Sequence, residues 1–265
     1  MSFLKLEGKN FFIQGVANKK SVAYFVAQTI VAEGGVPIFS VQKEEQIEVI
    51  NKLFPGSPVV VCDVEKKEDI ARLPSLIKVP LHGYLHSLAF ADFSQGVKPF
   101  HETKREHYLQ AAQISAFSFT EVTNALKDLL VEGASIATIS ISSTRATSYG
   151  YLGPIKAMLE ASVPFLAKSL STKKIRVNAI GAGPLKTSAS AGIPDYIDNY
   201  LYSEELTLRK ENLRTQEVAD TAAFLLSERS SGINATTIIV DAGMSANYFD
   251  QNIVKGFIKN GPSKP

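Results

Sequence analysis

The stretch "NFFIQGVANKKSVAYFVA" (residues 10–27) predicts a β-strand, a turn and an α-helix in succession. Its apolar strand ends at Gly15, and Ser21 is a candidate N-cap for a helix over residues 21–32. Amide groups at the N-terminus of such a helix face the turn, so the turn can hold a pyrophosphate. The usual G-x-G-x-x-G pattern is missing, because Gly15 is the only glycine and Phe25 stands where a close-packing glycine is expected. An ordinary strand-helix turn therefore explains the stretch at least as well as a nucleotide site.

Short apolar runs and longer segments of helical period alternate along the chain. The strand candidates are "NFFIQG", "VPIFSV", "PVVVCDV", "YLHSLAF", "SIATISI", "IRVNAIG" and "TTIIVDAG". The helix candidates cover residues 21–32, 44–54, a segment around Ile70, 103–130, 151–170 and 216–227. Nearly continuous apolar strands separated by helices predict a parallel sheet that is covered on both faces. We therefore expect one α/β domain over residues 1–246, a Rossmann-type doubly wound sheet of about seven strands, followed by a C-terminal extension over residues 247–265.

Composition narrows the function classes. The chain has 265 residues, with 28 basic and 26 acidic residues scattered along it and a net charge of +2, which predicts no nucleic-acid partner. Its single cysteine, Cys62, leaves no disulfide within the chain, and the Cys and His residues show no metal-ligand spacing. No signal peptide and no apolar run of about 18 residues is present, so we expect no membrane association. These features predict a soluble protein of the cytoplasm.

Two strand ends carry residues that can contact an adenosine. After the second strand, Gln42 can hydrogen-bond a ribose 2′-hydroxyl, while Lys43 can meet a 2′-phosphate but is better explained as part of a solvated loop. After the third strand, Asp63 can accept from an adenine amino group and Val64 can pack on its ring; a helix N-cap is the alternative for Asp63. Ser87, after the fourth strand, is small enough to let backbone approach a ligand. The lone histidines, His82 and His86, are interpreted as structural.

Six strings in order make a family resemblance specific. They are "GVANKKSVA", "HSLAFA", "QISAFSF", "KAMLEASV", "IRVNAIGAGPLKTSASAGI" and "SSGINATTIIVDAG". Together they resemble the bacterial enoyl-acyl-carrier-protein reductases of the NADH type, a divergent branch of the short-chain dehydrogenase/reductase superfamily. The similarity runs from about residue 6 to residue 243.

The spacing of a tyrosine and a lysine separates this branch from the rest of its superfamily. Ordinary short-chain dehydrogenases use Tyr-x-x-x-Lys, but four residues before Lys156 stands Leu152. The enoyl reductases have six residues between the two, which identifies Tyr149 and leaves Tyr151 to pack at the helix start. The resemblance implies that Tyr149 stabilises the enolate oxygen, while Lys156 holds the nicotinamide ribose and adds positive charge.

The resemblance also implies a cofactor, a substrate and an assembly. It implies NADH, with NADPH less favoured because no arginine stands near Gln42, and an enoyl thioester on acyl-carrier protein, whose trans-2 double bond is reduced in type II fatty acid synthesis. It further implies a homotetramer built on the helices that begin near residues 103 and 151. The cofactor-binding residues are then Gly15, Ser21, Val22, Gln42, Asp63, Val64, Ser87, Leu88, Lys156 and Thr187. No metal is expected.

The segment after the sixth strand is interpreted as a substrate lid over residues 187–210. Small residues there are followed by Tyr196, Ile197, Tyr200 and Leu201, a pattern that a surface helix explains equally well. Basic residues near it are candidates for docking an acidic carrier protein, and these are Lys186, Arg209, Lys210 and Arg214.

Two positions depart from the family pattern. Ile141 stands where the family has a second tyrosine, so either Tyr149 suffices or the hydroxyl of Ser142 or Ser143 substitutes. Pro154 lies inside the Tyr-Lys helix, which requires that helix to begin within a turn of it. Two alternatives follow: a carbonyl or alcohol dehydrogenase of the wider superfamily, and a non-catalytic dinucleotide-binding paralogue.

Overall fold

Seven β-strands pair into one sheet in the part of the chain that the computed structural model describes, which is residues 3–94, 96, 98–187, 190–193 and 196–260. The strands are β1 (Asn10–Gln14), β2 (Val36–Val41), β3 (Val59–Val61), β4 (Leu81–His86), β5 (Leu130–Ile141), β6 (Arg176–Ala182) and β7 (Thr237–Val240). Their order is β3-β2-β1-β4-β5-β6-β7, and every neighbouring pair is parallel. The predicted doubly wound sheet is confirmed.

Helices cover both faces of the sheet. In chain order they are α1 (Val22–Ala32), α2 (Ile47–Leu53), α3 (Lys67–Leu76), α4 (Arg105–Ala112), α5 (Ser118–Leu126), α6 (Leu152–Ser169), α7 (Tyr196–Leu206), α8 (Thr215–Leu226) and α9 (Gln251–Asn260). The apolar sides of α1, α2 and α8 pack with one face of the sheet, and those of α3, α5 and α6 pack with the other. Each face of the sheet therefore has its own hydrophobic core, to which the strands contribute apolar residues on both faces.

The strand order reverses between β1 and β4, which lie side by side at the centre of the sheet. Connections leave β1 toward one edge and β4 toward the other, so their carboxyl ends open into a crevice. Ligands of open α/β sheets bind at such a point. The fold therefore places the candidate site at the carboxyl edge of β1 and β4.

Two predicted elements differ from the observed ones. The fourth strand ends at His86, so residues 87–90 leave the sheet and form part of the crevice wall instead of extending the strand to Phe90. The predicted helix over residues 103–130 is interrupted by a π-helical turn at Gln113–Phe117 and ends at Leu126. Within that turn the Ser115 hydroxyl both accepts from the Phe90 amide (2.8 Å) and donates to the Phe90 carbonyl (2.9 Å), which ties the helix to the wall of the crevice.

The C-terminal extension begins beside the end of the predicted lid. Asn247 donates its side-chain amide to the carbonyl of Leu206 (2.8 Å), and the Lys210 ammonium lies 2.6 Å from the Asp250 carboxylate. The extension then forms α9, while residues 261–265 and part of the predicted lid, residues 188–189 and 194–195, lie outside the described residues. None of the helices in the described ranges combines the length and apolar character needed to cross a membrane.

Candidate active site

A cleft of about 710 Å³ runs along the carboxyl edge of the sheet. It is lined by the ends of β1 to β6 and by residues before and after them. All of the predicted catalytic and cofactor-binding residues lie on it: Gly15, Ser21, Val22, Gln42, Asp63, Val64, Ser87, Leu88, Tyr149, Lys156 and Thr187. The structure thus brings the predicted set together, and the individual roles of its members stay predictions.

The turn after β1 depends on the missing side chain of Gly15. Its φ is +95°, and a Cβ atom at this position would stand 2.0 Å from the Ser87 carbonyl oxygen. Ser21 occupies the N-cap of α1, but its hydroxyl donates to the Asn18 carbonyl (2.7 Å) instead of accepting from a helix amide. Ser21 therefore stands at the predicted N-cap position, but no helix amide donates a capping hydrogen bond to its hydroxyl.

The end of the cleft near β2 and β3 is polar and acidic. Gln46 accepts from the backbone amides of Gln42 (2.9 Å) and Lys43 (3.0 Å), which fixes the turn after β2. The Gln42 side chain lines the cleft, together with the carboxylates of Asp63 and Glu65. Among the described residues of the lining, Lys156 is the only cation, and it lies on α6, away from the ends of β2 and β3.

Asp63 is not the N-cap of the following helix. α3 begins at Lys67, with Lys66 at its N-cap. The Asp63 carboxylate instead accepts from the amide of Glu65 (3.1 Å), and the Asp63 amide donates to the Asp69 carboxylate (3.0 Å). This turn holds the Asp63 side chain at the cleft, so the capping alternative is excluded.

Lys156 is a buried cation whose amine contacts backbone oxygens. Its side chain is 3% exposed, and the amine donates to the carbonyls of Ile139 (2.9 Å) and Leu88 (3.3 Å). Burial lowers the pKa of Lys156 to about 8, and the nearby Glu160 carboxylate opposes that shift. Glu160 itself accepts from the Ser140 hydroxyl (2.5 Å), and burial raises its pKa. An amine held at this pKa changes its charge near neutral pH.

Tyr149 lies just before α6, in a short 3-10 turn at Thr147–Tyr149. Burial raises the pKa of its phenol, which keeps the group protonated at neutral pH and able to donate. The phenol of Tyr196, at the start of α7, opposes this rise in the pKa of Tyr149. Pro154 stands in the first turn of α6, where its missing amide leaves no helical hydrogen bond broken, as the sequence required.

Tyr151 is a structural residue at the N-cap of α6. Its ring is buried beside Phe93 and Tyr108, and its hydroxyl donates to the Asp92 carbonyl (2.9 Å). It is absent from the described lining of the cleft. The structure thus separates the two neighbouring tyrosines by environment.

The cleft also holds residues whose contacts the sequence did not predict. The hydroxyl of Ser190 accepts from the Thr187 amide (2.9 Å) and donates to the Leu185 carbonyl (2.7 Å), which shapes the segment after β6. Tyr196 also lines the cleft, whereas the sequence pattern predicted it only as part of the lid. Ile141 lines the cleft, whereas Ser142 and Ser143 are absent from its described lining, so the geometry gives no support to a substitute hydroxyl there.

Other titratable side chains near the sheet have structural partners. Both ring nitrogens of His86 are engaged, one with Thr138 (2.9 Å) and the other with Ser118 (3.0 Å), and burial lowers the pKa of this histidine well below its usual value. Burial raises the pKa of Cys62 to about 12, so this residue stays a thiol. No group of three or more His, Cys, Asp or Glu side chains within the described ranges could hold a metal ion.

A doubly wound parallel sheet, with a cleft at its switch point and a tyrosine and a buried lysine on that cleft, defines the class of short-chain dehydrogenase/reductase-like proteins. The family model described as "Enoyl-(Acyl carrier protein) reductase" matches residues 15–245. The chain therefore belongs to the enoyl-acyl-carrier-protein reductase family, as the sequence strings predicted.

Named relatives agree with this assignment over nearly the whole chain. The enoyl-acyl-carrier-protein reductase (NADH) of Bacillus subtilis is 35% identical, covering 90% of this chain and 96% of its own length. The NADPH form from Staphylococcus aureus is 37% identical over 92% of this chain and 99% of its own. A crystal structure of the enzyme from Anaplasma phagocytophilum in complex with NAD superposes with a TM-score of 0.87 at 31% identity, covering 93% of this chain and 97% of that one.

Lys156 should make unfolding of the ligand-free protein depend on pH. Its folded-state pKa lies below the unfolded value, so the cost of burying the charge is fully present below pH 8. The cost is relieved as pH rises from about 8 toward the unfolded pKa of about 10.4, because the folded state releases its proton first. We expect the free energy of unfolding of Lys156→Met, relative to the parent, to fall across this interval.

Urea denaturation of both proteins at pH 7 and at pH 10 measures this difference. Comparing the two proteins at each pH cancels the other titrating groups they share. If the difference in the free energy of unfolding between parent and variant is the same at both pH values, the pKa of Lys156 is not lowered in the folded protein.

Proposed function

We propose that the chain is an NADH-dependent enoyl-acyl-carrier-protein reductase, which reduces the trans-2 double bond of an enoyl thioester in type II fatty acid synthesis. The observation that carries this proposal is the pair Tyr149 and Lys156, which have six residues between them and both line the central cleft. Family membership and the names of the relatives support it. The predicted cytoplasmic location belongs with this proposal.

The lining fits a nicotinamide dinucleotide. The cleft is long enough to reach from the ends of β2 and β3 to the ends of β5 and β6, with hydrogen-bonding side chains along it. At the switch point, Gly15 lines the cleft beside the start of α1, whose first amides are donors that a pyrophosphate can accept from. Gln42 and Asp63 would hold the adenosine end, and Lys156 and Thr187 the nicotinamide end.

When bound, the cofactor supplies a hydride to the β-carbon of the thioester. The electron pair of the double bond then moves toward the thioester oxygen, where negative charge develops. Tyr149, whose phenol stays protonated, donates a hydrogen bond to that oxygen. Lys156 orients the cofactor ribose and, when protonated, adds a positive charge near the oxyanion. The α-carbon finally takes up a proton as the carbonyl re-forms.

The acidic end of the cleft favours NADH over NADPH. An additional 2′-phosphate would lie near the carboxylates of Asp63 and Glu65, and no arginine stands on the described lining to neutralise it. The Lys43 side chain is exposed and is absent from that lining. Relatives with either cofactor in their names match this chain, so the preference rests on these residues.

The two alternative functions have less support. A carbonyl or alcohol dehydrogenase needs a tyrosine four residues before Lys156, where α6 has the apolar Leu152. A non-catalytic dinucleotide-binding paralogue would keep Lys156 for the cofactor, but it gives no reason for the Tyr149 phenol on the cleft. Oxidation of NADH with an enoyl thioester, but not with ketones, distinguishes the three.

The carrier protein is proposed to approach near the end of the lid, where the sequence offered basic residues. Arg209 binds the Glu217 carboxylate with two contacts (2.6 and 2.7 Å), Arg214 lies 3.6 Å from the same group, and Lys210 pairs with Asp250. Each of these cations faces a carboxylate of its own chain. The patch therefore carries less free positive charge than the sequence indicates, and its effect should fall on the rate of encounter.

A homotetramer is the proposed assembly. The helices that the resemblance assigns to the tetramer interface carry large exposed apolar side chains, among them Leu109, Phe117, Met158 and Phe165. Phe165 is 77% exposed. These residues belong to the α4–α5 segment and to α6, on the same side of the sheet. Exposed apolar groups on neighbouring helices are typical of a surface that another subunit covers.

Tyr149→Phe should lower kcat on an enoyl thioester by about 10²- to 10³-fold, the usual cost of removing one oxyanion donor. Its Kd for NADH should stay near the parent value, because the lost hydroxyl serves the thioester. Steady-state kinetics and NADH fluorescence titration measure the two effects. Tyr151→Phe is the matched control, since its hydroxyl bonds only a backbone carbonyl among its described contacts. Parental turnover by Tyr149→Phe would remove the basis of the site assignment.

Gln42→Arg should strengthen NADPH binding by about 10-fold, because a guanidinium can form charge-assisted hydrogen bonds with a 2′-phosphate. The parent should bind NADH more tightly than NADPH in the same fluorescence titration. Lys43→Ala is the control and should leave both affinities unchanged. Tighter binding of NADPH by the parent would show that the acidic end of the cleft does not set the preference.

Phe165→Asp combined with Phe117→Asp should dissociate the assembly, because each change places a charge in the proposed interface. Light scattering at micromolar concentration should give a tetramer for the parent and a smaller species for the double variant. Val31→Asp is the control: Val31 is also exposed, but it lies on α1, on the opposite side of the sheet. A monomeric parent would refute the proposed assembly.

A further inference from the structure

Phe90 lies in the segment that leaves the sheet after β4 and forms one wall of the cleft. Residues 87–91 and Phe93 all line the cleft, and Phe90 is 39% exposed. Ser87 and Leu88, nearest to β4, are predicted to contact the cofactor, whereas Phe90 and Phe93 lie further along the segment and are apolar. An apolar wall of this kind suits the acyl part of a substrate.

The backbone of Phe90 finds its hydrogen-bonding partners outside the sheet. The Ser115 hydroxyl, in the π-helical turn, accepts from the Phe90 amide (2.8 Å) and donates to the Phe90 carbonyl (2.9 Å). Ser115 is fully buried, so water does not compete for its hydroxyl. One side chain therefore satisfies both backbone groups of Phe90, as a neighbouring strand would do within the sheet.

The same π-helical turn holds a second wall of the cleft. Gln113 donates its side-chain amide to the Val64 carbonyl (3.2 Å) and to the Glu121 carboxylate (2.5 Å). Val64 lines the cleft after β3, whereas Gln113 and Ser115 are absent from its described lining. The turn thus acts on the cleft through the residues that it holds. Such turns within α-helices are frequent at functional sites.

We propose that Ser115 is a positioning residue for Phe90, and that the acyl chain of the substrate packs against the Phe90 ring. This inference rests on the proposed function. By fixing both backbone groups of Phe90, Ser115 removes conformational freedom that the wall would otherwise lose when the substrate binds. The other anchor of the segment is the Leu88 carbonyl, which accepts from Lys156 (3.3 Å) and does not involve Ser115. The effect of Ser115 therefore falls on binding of the acyl chain.

Ser115→Ala tests this proposal, because it removes the hydroxyl with little change in size. We expect KM for a long-chain enoyl thioester to rise by about 3- to 10-fold, the range for loss of one hydrogen bond between uncharged groups. kcat and the Kd for NADH should stay near the parent values, because Lys156 keeps its bonds to Ile139 and Leu88. Steady-state kinetics and NADH fluorescence titration measure these quantities. A parental KM for Ser115→Ala would overturn the proposal.

Ser118→Ala is the matched control. Ser118 is also fully buried, and its hydroxyl contacts the Ile114 carbonyl (2.7 Å) and the His86 ring (3.0 Å) instead of Phe90. If Ser118→Ala raises KM as much as Ser115→Ala does, a general loss of core packing explains both results and the proposal is wrong. If Ser115→Ala does not fold, Ser115→Cys replaces it, and a smaller rise in KM is expected because a thiol is a weaker donor and acceptor.

A double variant shows whether Ser115 acts through Phe90. Phe90→Ala should itself raise KM for the long-chain thioester, because it removes the ring that the acyl chain contacts. In that background, Ser115→Ala should add little to KM, since the ring that it positions is already absent. If the two increases in KM multiply, Ser115 does not act through Phe90, which contradicts the proposal.

Hydrogen exchange at the Phe90 amide gives a readout that does not depend on activity. This amide donates to Ser115, so its exchange rate in the ligand-free protein should be about 10-fold faster in Ser115→Ala and unchanged in Ser118→Ala. NMR of isotopically labelled protein measures the rate. If the parent does not oxidise NADH with any enoyl thioester, the proposed function fails, and that result is separate from the exchange rate. An unchanged rate in Ser115→Ala would show that the hydroxyl does not hold the wall.

Discussion

The close approach of Gly15 to Ser87 is the constraint on which the site depends. β1 and β4 are neighbours at the point where strand order reverses, and a Cβ at Gly15 would stand 2.0 Å from the Ser87 carbonyl oxygen. The backbone after β4 can therefore turn beside β1 and leave the sheet. The carbonyl of Leu88, in that turn, accepts from the amine of Lys156. The missing side chain of Gly15 thus helps to position Lys156, a catalytic candidate about 140 residues further along the chain.

The sequence strings that resemble the family contain two buried cations, Lys156 and Arg176, and the structure gives them different roles. Arg176, in "IRVNAIG", donates to backbone oxygens that include those of Leu225, Ser227 and Ser230, and so joins β6 to the segment before β7. It is absent from the described lining of the cleft. Lys156 has two backbone acceptors, a strongly lowered pKa and a place on the cleft. A titratable residue that lies on a cleft and has a strongly shifted pKa is a candidate functional residue, because burying its charge does not stabilise the fold.

The sequence alone predicted the strands of the sheet and a set of residues that line the cleft, but it did not predict the hydrogen bonds between the residues of the cleft. Apolar periodicity predicted all seven strands, since a strand buried on both faces has a strong local signal. The π-helical turn at Gln113–Phe117 was missed, because its composition is that of an ordinary helix and its hydrogen bonds from Ser115 to Phe90 join residues far apart in the chain. The N-cap position of Ser21 was predicted correctly, but its hydroxyl forms its hydrogen bond within the turn, to the Asn18 carbonyl.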